Sequence, residues 1–389
     1  MGGLLRSKEG VDEWEKILKS ELWDSPIDKT DILPALRLSY KYLPSHLKQC
    51  FAYCSVFPKD YVLEKDEVVL LWMAEGFLEE TRNKGMEEVG EDYFLDLASR
   101  SLLEQSSVKK SECKDLFALP RDMRKLINLR HLDISGTGIT EMPMQLGRLK
   151  RVQTLSKFII SKHSGACIEE LGKLANLRGK LFISELQNDV SPTNALKACL
   201  KDRKYLEELV LEWNSLDTNI SDCQRSVLDN LRPHSNLKSL TINNYGAESL
   251  PDWVGHLSYS KIVSLHLKNC KLCPYLPSLG ELPSLEHLSI VGFEGIVKVA
   301  REFYANNSST VKPFGALKVL RFERMLNWEE WSSFGAENEG RAFSQLKELY
   351  IIDCPKLIGG LPVDLPSAVK LEIHECPLLV ASLPKAPVV

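Results

Sequence analysis

Hydrophobic positions along the chain change their period once. Over the first hundred residues they recur every three or four positions. The runs are Trp14, Ile17, Leu18 and Leu22, then Leu33, Leu36 and Tyr40, then Leu47, Cys50, Phe51 and Cys54, then Val68, Leu71 and Trp72, and last Met86, Val89, Tyr93 and Leu97. Such spacing lays one apolar stripe along a helix, so the segment reads as a succession of amphipathic helices. Leu43-Pro44-Ser45 breaks the pattern, with Ser45 as the expected N-cap, and Phe57-Pro58-Lys59-Asp60 reads as a turn. Residues 101–107 alternate weakly and predict a short strand.

From about residue 116 the pattern becomes Leu-x-x-Leu-x-Leu. Its anchors are Leu132, Leu155, Leu181, Leu209, Leu240, Leu265, Leu288, Leu320, Leu349 and Leu371, at intervals of 23, 26, 28, 31, 25, 23, 32, 29 and 22 residues. These spacings centre on the roughly 20 to 29 residues of leucine-rich repeats. Leu206-x-x-Leu209-x-Leu211-x-x-Asn214-x-Leu216 follows the whole template, and Leu265-x-Leu267-x-x-Cys270-x-Leu272 most of it. No single repeat can bury its own apolar face. Stacking about ten of them creates a continuous core, with one short parallel strand per repeat on the concave side. The fold class is therefore α/β, a helical N-terminal part followed by a leucine-rich-repeat solenoid. Pairs such as Leu250-Pro251, Leu276-Pro277 and Leu361-Pro362 belong on the convex side, where no ladder N–H is needed.

Side chains flanking the anchors project from the sheet and form a stripe. By strand it comprises His131, Asp133 and Ser135; Glu208, Val210 and Glu212; Ser239, Thr241 and Asn243; Ser264, His266 and Lys268; His287, Ser289 and Val291; Val319, Arg321 and Glu323; Glu348, Tyr350 and Ile352; Lys370, Glu372 and His374. Mixed charges, hydroxyls and histidines suit protein recognition better than a dedicated phosphate groove. His131, His266, His287 and His374 sit on different repeats, and only His266 and His287 are close enough in the array to be neighbours.

Composition narrows the function. Apolar residues make up 44% and charged residues 26% of the 389, enough for a buried core. A net charge of −4 gives no sequence-independent grip on nucleic acid. Residues 1–110 hold 15 basic against 21 acidic side chains and the remainder 34 against 32, so the two parts differ in sign. No apolar run reaches the roughly 18 residues of a membrane helix, and the start lacks a signal-peptide core. Ten scattered cysteines suit reduced thiols, hence a cytoplasmic location without integral membrane association. Asn219 and Asn306 match glycosylation acceptors by chance in that setting.

Metal or redox chemistry at His46, Cys50 and Cys54 fails on geometry. Helical rise separates the outer two by about 12 Å, too far to share one ion, and a CxxxC is not a redox motif. These thiols read as packing. Cys270, Cys354 and Cys376 occupy the template position where a buried thiol meets turn backbone.

The strings "LSYKYLPSHLKQCFAYCSVFPKDY" and "LLWMAEGF" resemble the winged-helix segment of plant intracellular immune receptors, the NB-ARC leucine-rich-repeat proteins of the coiled-coil class. "GGLLRSKEGVDEWEKILKSELWD" is similar to the end of their preceding helical subdomain, and "LSKFIISKHSGACIEELGKLANLRGKLFISELQNDV" to their first repeats. The resemblance implies four parts: a helical subdomain end at 1–30, a winged helix at 31–107, a joint at 108–120, and repeats over 121–389. It also implies an ADP/ATP switch, yet no G-x-x-x-x-G-K-[ST] occurs in this sequence, and "VKKSECKDLFALP" stands where the family's Met-His-Asp motif is expected. The expectation is a truncated member without enzyme activity and without a bound cofactor, a recognition and autoinhibition platform for defence. By the resemblance its partners are proteins: a pathogen effector, a guarded host protein, or the nucleotide-binding module of itself or a sibling. The alternatives are a residual ADP-binding switch and a ubiquitin-ligase adaptor built on repeats. The winged-helix strings weigh against the adaptor, and the acidic, then apolar "EKDEVVLLWMAEGF" against DNA binding.

Overall fold

Three-and-four spacing near the N-terminus builds helices in the computed structural model, which describes residues 40–57, 64–79, 84–100, 102–103, 117–162, 165–188, 190–214, 223–305, 312–332, 342–359, 361 and 365–382. The chain divides into two units, Met1–Glu112 and Cys113–Val389. The helices expected over 10–22 and 32–39, the turn at 58–60, nearly all of the strand at 101–107, and both glycosylation acceptors lie outside the described residues.

In the first unit, helices α1 (Ser45–Tyr53), α2 (Lys65–Ala74) and α3 (Met86–Ser99) bury Leu47, Cys50, Val68, Trp72, Met73, Val89 and Leu97 together. The Trp72 indole N–H donates to the Cys50 carbonyl at 3.0 Å, pinning α2 on α1. Gly90 lets α3 approach α2, since a methyl there would lie 2.5 Å from Val69 Cγ1. Ser45 is not the cap. Pro44 takes the N-cap position, without a side-chain cap bond, and Ser45 is the first helical residue. Proline's fixed φ already turns the chain there.

In the second unit the period of two produces strands. A two-stranded ladder pairs β1 (His131–Leu132) with β2 (Thr154–Leu155). Next come β3 (Lys157–Ile159), β4 (Gly179–Ser184), β5 (Leu206–Glu212), β6 (Ser239–Asn243), β7 (Ser264–Lys268) and β8 (His287–Val291). Beyond them lie β9 (Lys298–Val299), β10 (Val319–Glu323), β11 (Glu330–Trp331), β12 (Glu348–Ile352) and β13 (Lys370–His374). Nine of these form one sheet in the order β3-β4-β5-β6-β7-β8-β10-β12-β13, with every pairing parallel. Leu209, Leu240, Leu265, Leu288, Leu320, Leu349 and Leu371 lie directly side by side in its ladder. A second inward row runs through Leu211, Ile242, Leu267, Ile290, Phe322, Ile351 and Ile373.

Uneven repeat lengths are absorbed away from this sheet. The intervals after Leu181 and Leu209 carry the short helices α4 (Pro192–Lys197) and α5 (Cys223–Asn230), and those after Leu288 and Leu320 carry β9 and β11, which pair with each other. Phe303, Phe314, Phe322, Trp328, Trp331 and Phe343 fill the extra volume with ring contacts of 4.8 to 6.2 Å.

Two anchors depart from the simple spacing. Lys157 pairs with Phe182, so Leu155 and Leu181 are not equivalent; the ladder slips one residue at Ser156, and Phe158 takes the next inward position. Leu272 is 39% exposed, while Cys273 beside it is fully buried and fills the core instead.

Six strands of the main sheet end in the same backbone gesture. Asn244, Asn269, Gly292, Arg324, Asp353 and Glu375 follow β6, β7, β8, β10, β12 and β13, all with φ between 52° and 70°. The first five donate their N–H to the last strand carbonyl of the next repeat at 2.7 to 2.9 Å, which prolongs the parallel ladder around the corner. Gly292 leaves a gap in this row. Across it Arg324 reaches Asn269 Oδ1 at 3.3 Å, where a Cβ on residue 292 would sit 2.5 Å from the same oxygen.

Between sheets and turns, short 3₁₀ helices at Leu146–Arg148 and Ile168–Lys173 are held by side chains of the following repeat. The buried Glu170 carboxylate accepts from Gln145 N at 2.8 Å and Gly147 N at 2.9 Å. Buried Arg203 donates from Nη2 to the carbonyls of Leu171 at 3.1 Å and Gly172 at 2.9 Å. One charged side chain thus holds the helix start of the repeat before it, and another the helix end, complementing the dipole at both termini.

Candidate functional site

Perfect register across β5 to β13 sorts the outward side chains into three rows. The first runs Glu208, Ser239, Ser264, His287, Val319, Glu348, Lys370, and the second Val210, Thr241, His266, Ser289, Arg321, Tyr350, Glu372. The third runs Glu212, Asn243, Lys268, Val291, Glu323, Ile352 and His374, within which Val291 is buried. Of the residues expected on the stripe, His131 and Asp133 stand apart, because β1 belongs to the separate two-stranded ladder. There His131 Nδ1 lies 2.9 Å from Thr154 Oγ1, and Asp133 accepts from Ser135 N at 2.8 Å.

Three residues of the same face escape the sequence pattern. Lys180 and Phe182 extend the first and second rows onto β4, and Lys157 extends the second onto β3. Lys157 Nζ stands 5.0 Å from the Phe182 ring centre, and Lys180 is 3.5 Å from Glu208. The alternation around Leu181 carried the signal for two of them. The slip at Ser156 hid the third.

Charge is distributed unevenly along the rows. Toward β13 every basic side chain of the rows has a carboxylate: Arg321 with Glu323 at 2.6 Å, Lys370 with Glu372 at 2.8 Å, and His374 with Glu372 at 3.5 Å. Tyr350 lies between two of them, 5.4 Å from Arg321 and 4.7 Å from Lys370 by ring centre, and its hydroxyl donates to Glu348 at 2.7 Å. The bond from Lys370 holds the Glu372 carboxyl below its usual range, and the same contact pushes Lys370 up to about 12. On the central strands His266 is held below the ordinary imidazole value, first by burial, then by Lys268 and His287. Beside β3 and β4 an open groove of about 450 Å³ is lined by Lys157, Ser161, Lys162, Glu185, Gln187 and Asn188, a polar, mixed-charge wall rather than the apolar floor of a small-molecule pocket.

The thiols take no part in this face. Burial pushes Cys50, Cys273 and Cys354 up to about 12, and raises Cys270 and Cys376 as well. Cys270, Cys354 and Cys376 donate to backbone carbonyls of Lys268, Ile352 and His374. His46 stacks on Tyr93 with 4.6 Å between ring centres. Among the described residues no three His, Cys, Asp or Glu side chains converge where a metal ion could sit. Iodoacetamide at about pH 8 is expected to alkylate exposed Cys167 in the folded chain and to leave Cys50, Cys270, Cys273, Cys354 and Cys376 unmodified until denaturant is added. Peptide mass spectrometry reads the pattern, and rapid native labelling of the buried set would contradict it.

Among the described residues no helix is long and apolar enough to cross a membrane. The family described as disease resistance protein winged helix domain matches residues 56–123, and the one described as R13L1/DRL21 leucine-rich repeats matches residues 168–293. The chain is 33% identical to the disease resistance RPP13-like protein 1 of Arabidopsis thaliana, over 97% of this chain and 51% of that protein. It is 28% identical to disease resistance protein RGA2 of Solanum bulbocastanum, over 92% of this chain and 49% of that protein. The chain therefore spans about half the length of these relatives. The first alignment runs over 534 residues, more than the 389 present here, so that relative holds stretches with no counterpart in this sequence.

Proposed function

Because this chain belongs to the plant disease-resistance proteins that join a winged-helix domain to leucine-rich repeats, we propose that its repeat unit recognises another protein on the outward rows of the sheet, and that this contact serves defence against pathogens. One observation carries the reading. Seven adjacent strands hold their polar side chains in unbroken register, so the rows form a continuous surface built on a rigid scaffold. The partner is a pathogen protein, a guarded host protein, or the nucleotide-binding module of a sibling receptor. The work assigned to these rows is binding rather than catalysis.

The test is a comparison in leaf tissue. Proteins recovered with the tagged chain are measured against those recovered with Thr241→Trp, which places a bulky ring at the centre of the second row. Recovery of the specific partner is expected to fall at least about tenfold while the circular dichroism and melting of the variant stay unchanged. Undiminished recovery would remove the face from the mechanism. Titration with ADP is expected to give no saturable signal, and a saturable one would favour a residual nucleotide switch.

A further inference from the structure

Most cations on the rows, and just outside them, already have an anionic neighbour. Lys180 has Glu208, Lys238 has Glu207, Lys318 has Glu286, Arg321 has Glu323 and Lys370 has Glu372, at 2.6 to 3.5 Å. The three central strands differ. The row positions of β6, β7 and β8 hold no carboxylate, yet they carry Lys268, His266 and His287. Facing His266 are Thr241 from β6 and Ser289 from β8, its direct ladder partners. Its basic neighbours are Lys268 on its own strand and His287 on the next.

Carboxylates bordering the patch each have a partner of their own. Glu212, on β5, accepts from Asn243 Nδ2 at 3.2 Å. Glu286 feels His287 but is bound by Lys318 at 2.7 Å, and Glu323 is bound by Arg321. What remains is a positive, hydroxyl-lined field about two strand spacings wide, roughly 10 Å, between flanks that contain acidic side chains. An incoming carboxylate would pair with the Lys268 ammonium, and with either imidazole once that ring is protonated, and accept from the hydroxyls of Thr241, Ser264 and Ser289. A long phosphate backbone would meet Glu212 and Glu323 on either side.

We infer that this central patch, formed by His266, Lys268 and His287, takes an acidic peptide segment of the partner protein. The inference rests on the recognition reading above and specifies the chemistry of what is recognised. Binding strengthens in acid, because each imidazole that gains a proton adds attraction, while glutamate side chains stay ionised above about pH 5.

The experiment measures fluorescence anisotropy of labelled deca-glutamate, deca-lysine and a single-stranded RNA decamer with the full chain at low ionic strength. Deca-glutamate is expected to bind, and to tighten about five- to tenfold as pH falls from about 7.5 to 5.5. Lys268→Glu should weaken it about tenfold at both pH values, and the pair His266→Gln with His287→Gln should abolish the pH dependence. Lys238→Glu, whose charge faces Glu207 outside the rows, should change affinity less than about twofold. Preference for deca-lysine or RNA, or deca-glutamate binding indifferent to Lys268→Glu, overturns the assignment. If deca-glutamate fails while Thr241→Trp still abolishes partner recovery, the acidic assignment alone falls. If Thr241→Trp is silent too, recognition by this face falls with it.

Discussion

Leu265→Ala is expected to lower the stability of the repeat unit by about 2–5 kcal/mol, whereas Leu371→Ala should cost less than about 1 kcal/mol. Both residues hold the same place in the repeat, yet their surroundings differ. Leu265 is fully buried between Leu240 and Leu288, so truncation leaves a cavity that two flanking repeats must share. Leu371 has one ladder neighbour, Leu349, and remains 49% exposed, so about half of the side chain is already in contact with water. Urea unfolding followed by tryptophan fluorescence compares the two variants with the parent. Equal losses would mean that the leucine ladder is not what holds the array together.

Glu170→Ala is expected to cost about 3 kcal/mol, although the residue is charged and no pattern marks it. Its carboxylate supplies both acceptors for the N–H groups of Gln145 and Gly147, and truncation would leave one buried and one part-buried donor without that partner. Glu170→Gln keeps one acceptor oxygen and should lose about half as much. Hydrogen exchange gives the local readout: the amides of Gln145 and Gly147 should lose protection in Glu170→Ala before the rest of the unit does. Unchanged protection at those two amides would remove Glu170 from its capping role.

Much of the scaffold was visible before any coordinates. Alternation around Leu240, Leu265, Leu288, Leu320 and Leu349 fixes which side chains face out, because a period of two permits only one assignment when one face is buried. The three-residue step from Leu155 to Phe158 defeated that rule, and Lys157 was lost from the face with it. Leu272 misled for a similar reason, since Cys273 is as apolar as leucine when buried and took its place. Glu170 and Arg203 were beyond reach of any local pattern. Their partners lie 23 to 32 positions away in sequence and become neighbours only when repeats stack. The bare charge of the central patch was hidden likewise. Lys268 looks ordinary until the carboxylates of the other strands are seen to be occupied.

The left-handed corner after β6, β7, β8, β10, β12 and β13 resets the chain whatever the length of the excursion before it. Intervals of 22 and of 32 residues deliver their next strand to the same ladder position. A descendant gene can therefore rewrite the outward letters of one strand without moving the ladder positions of the others. Such modular editing would let a lineage change the exposed surface while inheriting the frame unchanged.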